Sequence, residues 1–451
     1  MAVLSTATNI VSRSFRFQAR IRDIPAFSYG VVHQDKLIFT GNYGYANRKT
    51  KVKPTAVTGF RIASISKTFT ATAVMQLVER RLIRLDDYVV EHLPWFRSKK
   101  DRRLERITIR QLLTHTAGLS RDGNTTHWVT MCFPTVIQIK TYIKSATLCF
   151  DPNQRWKYSN LGYAILGELI ATVTGQGYAD YIKANIFSKL AMDKTSVDVE
   201  KIDDLTLAIG YGLRFPDRPR PIFPTITTAG MAAATGYTSC IIDLAKFISA
   251  QFTGNQTLLT EESKRELRRI QWLDDEDGVR QEVGFRSWKM GDQTIYSHSG
   301  GFQGFKTIIA LNATKQIGIV ILTNAINVDP VIFAQTFFHT LDQLFRQYGS
   351  FTDSKASTKS LKQFEGTFLN IWGATESVVV NRQLALINPG LKPMAGLCRL
   401  SYLGRNRFLA VKGPGNGCIG QEVRFEFNKK GRPKRIYVGA TPSDATDYFN
   451  R

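Results

Sequence analysis

Residues 60–78 read FRIASISKTFTATAVMQLV, and within this stretch Ser64 and Lys67 stand three positions apart. The run that follows has the composition of a helix, and residues i and i+3 of a helix share one face about one turn apart. The Ser64 hydroxyl and the Lys67 amine can therefore lie within hydrogen-bonding distance. A serine hydroxyl needs such a neighbour, because it becomes a useful nucleophile only when a base takes its proton.

The apolar residues of this stretch indicate a helix that is buried on nearly all sides. They spread over most of the helix circumference and do not form one stripe. Burial removes water from the Lys67 ammonium and lowers the pKa of the amine, so that this lysine can act as a base. The alternative is an exposed helix face that carries serine and lysine by chance, since S-x-x-K is a common pattern. Partners elsewhere in the chain must decide between the two.

Length and charge limit the classes of protein to consider. A chain of 451 residues suggests two or three domains, and no apolar run approaches the about 20 residues that cross a bilayer. The formal net charge is +23, but the densest basic clusters, residues 97–103 and 429–435, are not interleaved with aromatic residues. Specific nucleic-acid binding is therefore not favoured, and solubility or attraction to anionic surfaces explains the charge better.

The cysteines and the first 22 residues indicate in which cellular compartment the protein is expected. The five cysteines show no C-x-x-C pair and no metal-ligand spacing, which favours free thiols in a reducing compartment. Residues 1–22 contain four arginines and no acidic residue, which is typical either of an organellar presequence or of a first helix of the fold. We interpret them as a first helix. Because no secretory signal is visible, we expect a cytoplasmic protein.

Hydrophobic periodicity predicts an α/β (α+β) domain over residues 1–349. An early hairpin and a series of short strand-like runs between residues 283 and 324 predict one antiparallel sheet of about five strands, covered by helices. One helix is expected to run from Ile107 to Gly118, where a glycine can end it. Another is expected to begin directly after a loop at residues 158–160.

The remainder of the chain has a different pattern. Residues 350–360 are polar and rich in serine and threonine, which predicts a linker. From residue 361 to 451 helical periodicity disappears, and strand-like runs alternate with turns. We therefore predict a second domain, a small closed β-barrel or sandwich.

Three separated motifs form a recognisable set: S-x-x-K at residues 64–67, Y-x-N at 158–160 and H-x-G at 298–300. Their order and spacing, with the flanking sequences LLTHTAGL, YSNLGYAILG and HSGGFQGF, resemble the serine penicillin-recognising superfamily. This superfamily includes class C β-lactamases, DD-peptidases, D-aminopeptidases and related esterases. The resemblance covers about residues 24–345. It implies the β-lactamase-like fold and a serine hydrolase that works through an acyl-enzyme, with neither cofactor nor metal.

The resemblance assigns roles to the matching residues. Ser64 would be the acylated nucleophile, and Lys67 and Tyr158 would share the proton transfers, without the sequence deciding which is the base. Asn160 would form a hydrogen bond with the amide of the substrate or hold the Lys67 side chain in place. The backbone N–H groups of Ser64 and Gly301 would form the oxyanion hole. Substrate would bind along the strand that carries Ser299, Gly300 and Gly301.

The third motif departs from the lysine that β-lactamases and many DD-peptidases place first. A histidine such as His298 is largely neutral near pH 7 unless a carboxylate lies close, so it offers a hydrogen bond in place of a fixed charge. This weakens the case for a β-lactamase and is the pattern of D-aminopeptidase-like members, and the W-G-G triplet of many esterase relatives is absent. The alternative for His298 is a buried capping histidine.

The resemblance therefore predicts a peptidase for small peptides with D-residues, in carboxypeptidase or aminopeptidase mode. An esterase, a weak β-lactamase and a penicillin-binding sensor without turnover are the alternatives. Partners would be a small peptide, ester or β-lactam substrate, with a homo-oligomer left open. Residues 361–373 resemble the start of the lipocalin-like barrel of some relatives, which either shapes access to the active site or supports folding.

Other histidines and acids are expected to be structural. His115 lies in a segment typical of the superfamily and is expected to brace a loop. The acidic run at residues 274–277 is expected to be a solvated turn, because it lacks alternating oxygen ligands for calcium. The remaining histidines show no metal-ligand spacing: His33, His92, His127 and His339.

Overall fold

The computed structural model describes residues 1–199, 206–276, 278–352, 358–413 and 417–446. Two compact units are present, one made of Met1–Asp23 with Ile332–Arg451 and the other of Ile24–Val331. The predicted linker lies partly outside the described residues, as do the end of the acidic run at residue 277 and the end of the chain.

The described residues form thirteen α-helices. They are α1 (Ala2–Ile21), α2 (Ser66–Glu79), α3 (Val89–His92), α4 (Ile109–Leu113), α5 (His127–Thr130), α6 (Val136–Ile143), α7 (Asn160–Thr174), α8 (Tyr178–Ile182), α9 (Ala232–Thr235), α10 (Ile241–Ala250), α11 (Glu261–Arg268), α12 (Pro330–Gln347) and α13 (Thr358–Leu361). None of the helices in the described ranges is long and apolar enough to span a membrane.

The described strands fall into two groups. Those of the Ile24–Val331 unit are β1 (Ala26–His33), β2 (Lys36–Gly44), β3 (Phe60–Arg61), β4 (Gly210–Tyr211), β5 (Ile222–Phe223), β6 (Thr238–Ser239), β7 (Trp272–Asp274), β8 (Val279–Gln281), β9 (Arg286–Met290), β10 (Gln293–Phe302), β11 (Phe305–Asn312) and β12 (Ile317–Thr323). Those of the other unit are β13 (Gly366–Asn370), β14 (Gly373–Val380), β15 (Gln383–Ile387), β16 (Cys398–Gly404), β17 (Arg407–Lys412), β18 (Glu422–Phe427), β19 (Pro433–Val438) and β20 (Thr441–Ala445).

The Ile24–Val331 unit is built on one antiparallel sheet with the strand order β2-β1-β12-β11-β10-β9-β8-β7. The predicted antiparallel sheet with covering helices is confirmed, and with eight described strands it is wider than the five or so expected. Strands β7 and β8 have three residues each, too few to show a two-residue alternation in the sequence.

Helix α2 occupies the core of this unit. Every residue from Ser66 to Leu77 is buried, and the Phe69 ring stacks on Phe247 with the ring centroids 3.7 Å apart. Helices α7 and α9 pack against α2. Helix α9 comes close to α7 because residue 167 is glycine, where a Cβ would lie 2.8 Å from the Cβ of Ala233. The buried circumference predicted for the Ser64 segment is therefore found.

One helix is shorter than predicted. The helix expected from Ile107 to Gly118 ends at Leu113, and His115 adopts a left-handed backbone conformation with φ 61°. A residue in this conformation interrupts a right-handed helix. The segment after Leu113 is consequently a loop, and the His115 side chain leaves it in a direction that a helix would not allow.

The other unit contains a closed antiparallel barrel of eight strands, β13 to β20. This confirms the predicted barrel. Strand β13 pairs with β14 on one side and with β20 on the other, and the ring closes there. Aromatic residues fill much of its interior, namely Phe364, Phe368, Phe408 and Phe425.

Residues 2–21 form the helix α1 and belong to the barrel unit. Its Ile10 and Phe15 side chains are fully buried. The Arg13 guanidinium donates to Glu365 at 2.9 Å and to Glu376 at 3.2 Å. The interpretation of the first residues as a helix of the fold therefore agrees with the structure.

Candidate active site

Ser64 lies in a short 3-10 turn, Ala63–Ile65, directly before helix α2. Ala63 has a positive φ of 52°, a conformation that a residue with a Cβ holds only when its surroundings enforce it. Hydrogen bonds to the preceding residue, Ile62, do so here. The Ile62 N–H donates to the Tyr237 carbonyl at 2.9 Å, and the Thr307 hydroxyl donates to the Ile62 carbonyl at 3.0 Å. The turn that presents Ser64 is therefore fixed by the sheet.

The Lys67 amine is fully buried and has three acceptors around it. Its Nζ lies 3.2 Å from Ser64 Oγ, 2.7 Å from Asn160 Oδ1 and 2.7 Å from the Ala234 carbonyl oxygen. Burial lowers the pKa of Lys67 well below its usual value, and the negative charge of Asp122 only partly opposes this shift. The site therefore joins a half-buried serine hydroxyl to an amine that is readily neutral.

Asn160 begins helix α7 and connects Lys67 to Asp122. The Asn160 Nδ2 donates to Asp122 Oδ1 at 2.6 Å, which leaves Oδ1 of the amide facing the Lys67 amine. Burial opposes ionisation of Asp122, but His127, Asn160 and other neighbouring groups lower its pKa to about 2. A permanent carboxylate thus determines which way the Asn160 amide points.

Tyr158 lies beside Ser64, on the loop before α7. Burial raises the pKa of Tyr158 to about 12, and the neighbouring Ser64 hydroxyl opposes this shift only in part. Two basic side chains lie over its ring, with Lys67 Nζ 4.8 Å and Arg121 Cζ 5.7 Å from the ring centroid. In the resting site the phenol is therefore protonated, and the amine is the more available base.

His298 lies on β10 and is buried. Burial, and then the charge of Lys67, lower the pKa of His298 to about 3, so the ring is neutral near pH 7. Its Nδ1 lies 2.8 Å from the Ser299 carbonyl oxygen, which can only accept a hydrogen bond. The proton is therefore on Nδ1, and Nε2 carries a lone pair.

The three residues after His298 form an open stretch of backbone. The Ser299 and Gly301 side-chain positions are exposed, and strand β10 packs against the Ala63–Ile65 turn. A Cβ at Gly300 would lie 2.1 Å from the Ile62 carbonyl oxygen, so only glycine lets the strand approach the turn this closely. The structure thus brings the first and third motifs together.

His115 supports the second motif. Its ring stacks on Tyr158 with the ring centroids 4.3 Å apart, and its Nδ1 accepts the Ser159 N–H at 3.2 Å. The Lys157 N–H donates to the His115 carbonyl at 2.7 Å. These contacts fit the predicted bracing of a loop.

Three charged residues near the site were not identified from the sequence, namely Arg121, Asp122 and Arg286. Asp122 follows the LLTHTAGL segment by three residues, and this proximity was the one available signal. Arg286 opens β9 and pairs with Ser297, the neighbour of His298. Its guanidinium lies 5.3 Å from the Trp156 ring centroid, and its charge acts on Tyr158 and His298. Only the pairing of β9 with β10 places Arg286 there.

One group of possible metal ligands occurs among the described residues. The ligand atoms of Asp87, Glu91 and His92 all lie within 4.8 Å of one another. The same Asp87 carboxylate accepts the Arg84 N–H at 2.7 Å and pairs with His92 at 3.0 Å. These bonds give the group a structural role in the turn before α3, and it belongs to none of the three motifs.

Comparison with known proteins agrees with this geometry. The beta-lactamase family profile matches residues 15–330. The chain belongs to the beta-lactamase family. Among curated relatives, Protein flp of Staphylococcus aureus is 29% identical over 305 residues, which are 67% of this chain and 60% of that protein. Penicillin-binding protein 4* of Bacillus subtilis is 26% identical over 306 residues, covering 64% of this chain and 65% of that protein. The chain thus matches somewhat under two thirds of the length of these family members.

Solved structures of the family share the fold. The octameric penicillin-binding protein homologue from Pyrococcus abyssi superposes with a TM-score of 0.64 at 22% identity, over 98% of this chain and 100% of that one. A D-stereospecific amidohydrolase from Streptomyces sp. superposes with a TM-score of 0.61 at 22% identity, over 70% of this chain and 94% of that one. At this identity the likeness shows the fold alone.

We expect Asp122→Asn to slow the acylation of Ser64 by about 10- to 100-fold, the effect of losing a hydrogen bond to a charged group. The amide introduced at position 122 carries no charge and no longer holds the Asn160 side chain in one orientation. Lys67 therefore loses a well-placed acceptor. The measurement is the second-order rate of labelling by a fluorophosphonate.

Asp86→Asn is the matched control, because Asp86 is an exposed partner of Arg110 outside the motifs. Its labelling rate should equal that of the native protein. An unchanged rate in Asp122→Asn would show that Asn160 keeps its orientation without the carboxylate.

Proposed function

We propose that this protein is a serine hydrolase that forms an acyl-enzyme on Ser64 and cleaves small peptides with D-residues. The observation that carries the proposal is the 3.2 Å separation of Ser64 Oγ from the Nζ of a fully buried Lys67. The two predicted partner motifs converge on the same pair. Membership of the beta-lactamase family supports the reaction class, and the substrate class is our inference.

In the proposed mechanism the neutral Lys67 amine takes the Ser64 proton as Oγ attacks the scissile carbonyl. Burial supplies the neutral amine without an additional base. The backbone N–H groups of Ser64 and Gly301 would stabilise the oxyanion of the tetrahedral intermediate. Loss of one such donor costs about 100- to 1,000-fold in related chemistry, so the fixed turn at Ala63 matters as much as the base.

Tyr158 would donate its proton to the leaving amine and receive one back during deacylation. A group that is protonated in the resting site suits this task, and the Tyr158 phenol is a neighbour of Ser64. Lys67 and Tyr158 would thus divide the proton transfers, with the amine as acceptor in acylation. Asn160 would hold Lys67 and present its amide edge to the substrate.

Substrate would lie along Ser299, Gly300 and Gly301, with its backbone against β10. The neutral His298 provides an acceptor at Nε2 and no fixed charge. Arg286 would supply the charge that a lysine in the third motif provides elsewhere. The Glu282 carboxylate acts on it electrostatically, and among the described residues no carboxylate lies within ion-pair distance of its guanidinium. A half-buried guanidinium beside Tyr158 suits the terminal carboxylate of a peptide, which favours the carboxypeptidase mode.

Two further aspects remain proposals. The Pyrococcus abyssi homologue is octameric, and this supports a homo-oligomer for this chain. The D-stereospecificity named for the Streptomyces amidohydrolase supports substrates with D-residues. A cytoplasmic location, a lipocalin-like role of the barrel and the absence of a cofactor stay predictions.

We expect the native protein to gain one adduct per chain from a fluorophosphonate and to release product from a D-alanyl-D-alanine peptide past one equivalent. Ser64→Ala should lose both, and Ser145→Ala is the matched control at an exposed serine outside the motifs. Intact mass and steady-state product assays measure the two outcomes. An adduct without turnover would identify a penicillin sensor, hydrolysis of a p-nitrophenyl ester alone would identify an esterase, and no adduct would refute Ser64 as nucleophile.

We expect kcat/KM to rise with pH through the pKa of Lys67 and to level off well below pH 10.5, because burial favours the neutral amine. The value of kcat/KM rises with pH because protonation of Lys67 at low pH removes the acceptor for the Ser64 proton. Since the pKa of His298 is about 3, no inflection is expected near about pH 6.5, the usual histidine value. An inflection there that disappears in His298→Gln would assign the titration to His298 and contradict this scheme.

We expect Arg286→Ala to raise KM about 10- to 100-fold for a D-alanyl-D-alanine peptide with a free carboxylate, and to leave the matching carboxamide unaffected. The guanidinium pairs with the carboxylate and has no such partner in the amide. Arg121→Ala is the control, because Arg121 also flanks Tyr158 but is largely exposed. Equal losses for the two peptides would exclude carboxylate recognition by Arg286.

A further inference from the structure

The closed barrel has one end at which a cavity opens. In an up-and-down barrel alternate connections lie at the same end, so those after β13, β15, β17 and β19 are neighbours. Residues at these strand ends line a cavity of about 570 Å³. Two of the lining residues are the cysteines Cys398 and Cys418.

These two thiols are in direct contact. The sulfur atoms lie 2.9 Å apart, and both cysteines are free. Cys398 is buried at the start of β16, and Cys418 is half-buried on the segment after β17, where it packs against the interior cluster of the barrel. The remaining cysteines differ: Cys132 and Cys149 are exposed, and Cys240 is buried in the other unit.

The backbone on both sides holds the two sulfur atoms near each other. On the Cys418 side, the Ala410 N–H donates to the Gln421 carbonyl at 3.0 Å and the Gly420 N–H donates to the Ala410 carbonyl at 2.8 Å. These bonds fix the turn that carries Cys418 to the end of β17. On the Cys398 side, a Cβ at Gly413 would lie 2.9 Å from the Cys398 Cα, so the chain leaving β17 passes directly against β16.

We propose that Cys398 and Cys418 form a redox-sensitive dithiol that a small disulfide oxidant, glutathione disulfide, converts into an intramolecular disulfide. The proposal stands on the geometry of the barrel and is independent of the reaction assigned to Ser64. It concerns a modification site that neither the family resemblance nor the three motifs include.

The first step takes place at Cys418. Its thiolate attacks one sulfur of glutathione disulfide, forms a mixed disulfide and releases one glutathione thiolate, which takes up the proton that Cys418 lost. Cys418 reacts first because it is partly exposed to solvent. Cys398 is less reactive towards external reagents, because burial raises the pKa of its thiol to about 12.

The second step is intramolecular. The Cys398 thiol loses its proton as its sulfur attacks the Cys418 sulfur, and the second glutathione leaves with that proton. One protein disulfide forms, both cysteine sulfurs are oxidised, and one glutathione disulfide becomes two glutathione molecules. The contact distance needs to shorten only to the roughly 2.0 Å of an S–S bond.

The cross-link would change the mouth of the cavity. It would tie the start of β16 to the connection between β17 and β18, on which Cys418 lies, and this connection is one wall of the cavity. Closing a chain loop by a disulfide restricts the unfolded chain and opposes opening of the loop in the folded one. The oxidised barrel would therefore have a more rigid rim than the reduced barrel.

The test uses the full-length reduced protein and glutathione disulfide as the probe. After incubation, acid quenching and alkylation under denaturing conditions, we expect neither Cys398 nor Cys418 to remain alkylatable. Non-reducing peptide mapping should join the peptides that contain residues 398 and 418 and should show no retained glutathione on either of them.

Single serine variants separate the two steps. Cys398→Ser should retain one glutathione on Cys418, because the resolving thiol is absent. Cys418→Ser should leave Cys398 alkylatable and free of glutathione, because the buried thiol does not react first. Cys149→Ser is the matched control at an exposed cysteine and should form the cross-link as the native protein does.

A second measurement needs no variant, so it holds even where a substitution harms the barrel. Phenylarsine oxide bridges two adjacent thiols and should bind the reduced native protein at one equivalent and block the cross-link. Stable glutathione on Cys418 of the native protein, with Cys398 still alkylatable, would overturn the proposal. So would a disulfide that joins either cysteine to Cys132, Cys149 or Cys240.

Discussion

The structure of the larger unit depends on one desolvated amine. Lys67 has no exposed surface, and its three neighbours are a hydroxyl, an amide oxygen and a carbonyl oxygen, none of them an anion. A buried ammonium without a counter-charge is costly, and the protein responds by lowering the pKa of the amine. The apolar surface of α2 that excludes water is thus the same feature that lowers the pKa of the Lys67 amine, so the packing of the core sets the protonation of this group.

The charged side chains near the Lys67 amine are separated from it by other groups. Asp122 is ionised, but the Asn160 amide lies between its carboxylate and Lys67. Arg121 and Arg286 lie on the side of Tyr158. A carboxylate in direct contact with Lys67 would keep the amine protonated, whereas a carboxylate behind an amide orients the hydrogen bonds and leaves the amine neutral. The neutral His298 completes a site in which the permanent charges surround the reacting atoms without touching them.

Much of the fold could be predicted, and the reasons for the exceptions are physical. The antiparallel sheet, the helix after Ser64 and the barrel follow from hydrophobic periodicity, which is a local property of the chain. The short strands β7 and β8 and the early end of α4 do not, because three residues show no period and because the left-handed conformation of His115 is imposed by its neighbours. Asp122 and Arg286 escaped notice for a related reason, since strand pairing and loop path bring them to the site.

The sequence by itself determined the family and located the three motifs, and it predicted a reaction class, because a nucleophile, a base and a glycine-lined strand require specific residue types at specific spacings. It also determined that Lys67 would be buried, because apolar residues lie on nearly all sides of its helix. Only the tertiary structure decided which acceptors surround that amine, that a carboxylate orients Asn160, and that Cys398 meets Cys418. These contacts join residues 20 to about 170 positions apart, and no local pattern can encode them, because they depend on close backbone approaches such as the one at Gly167.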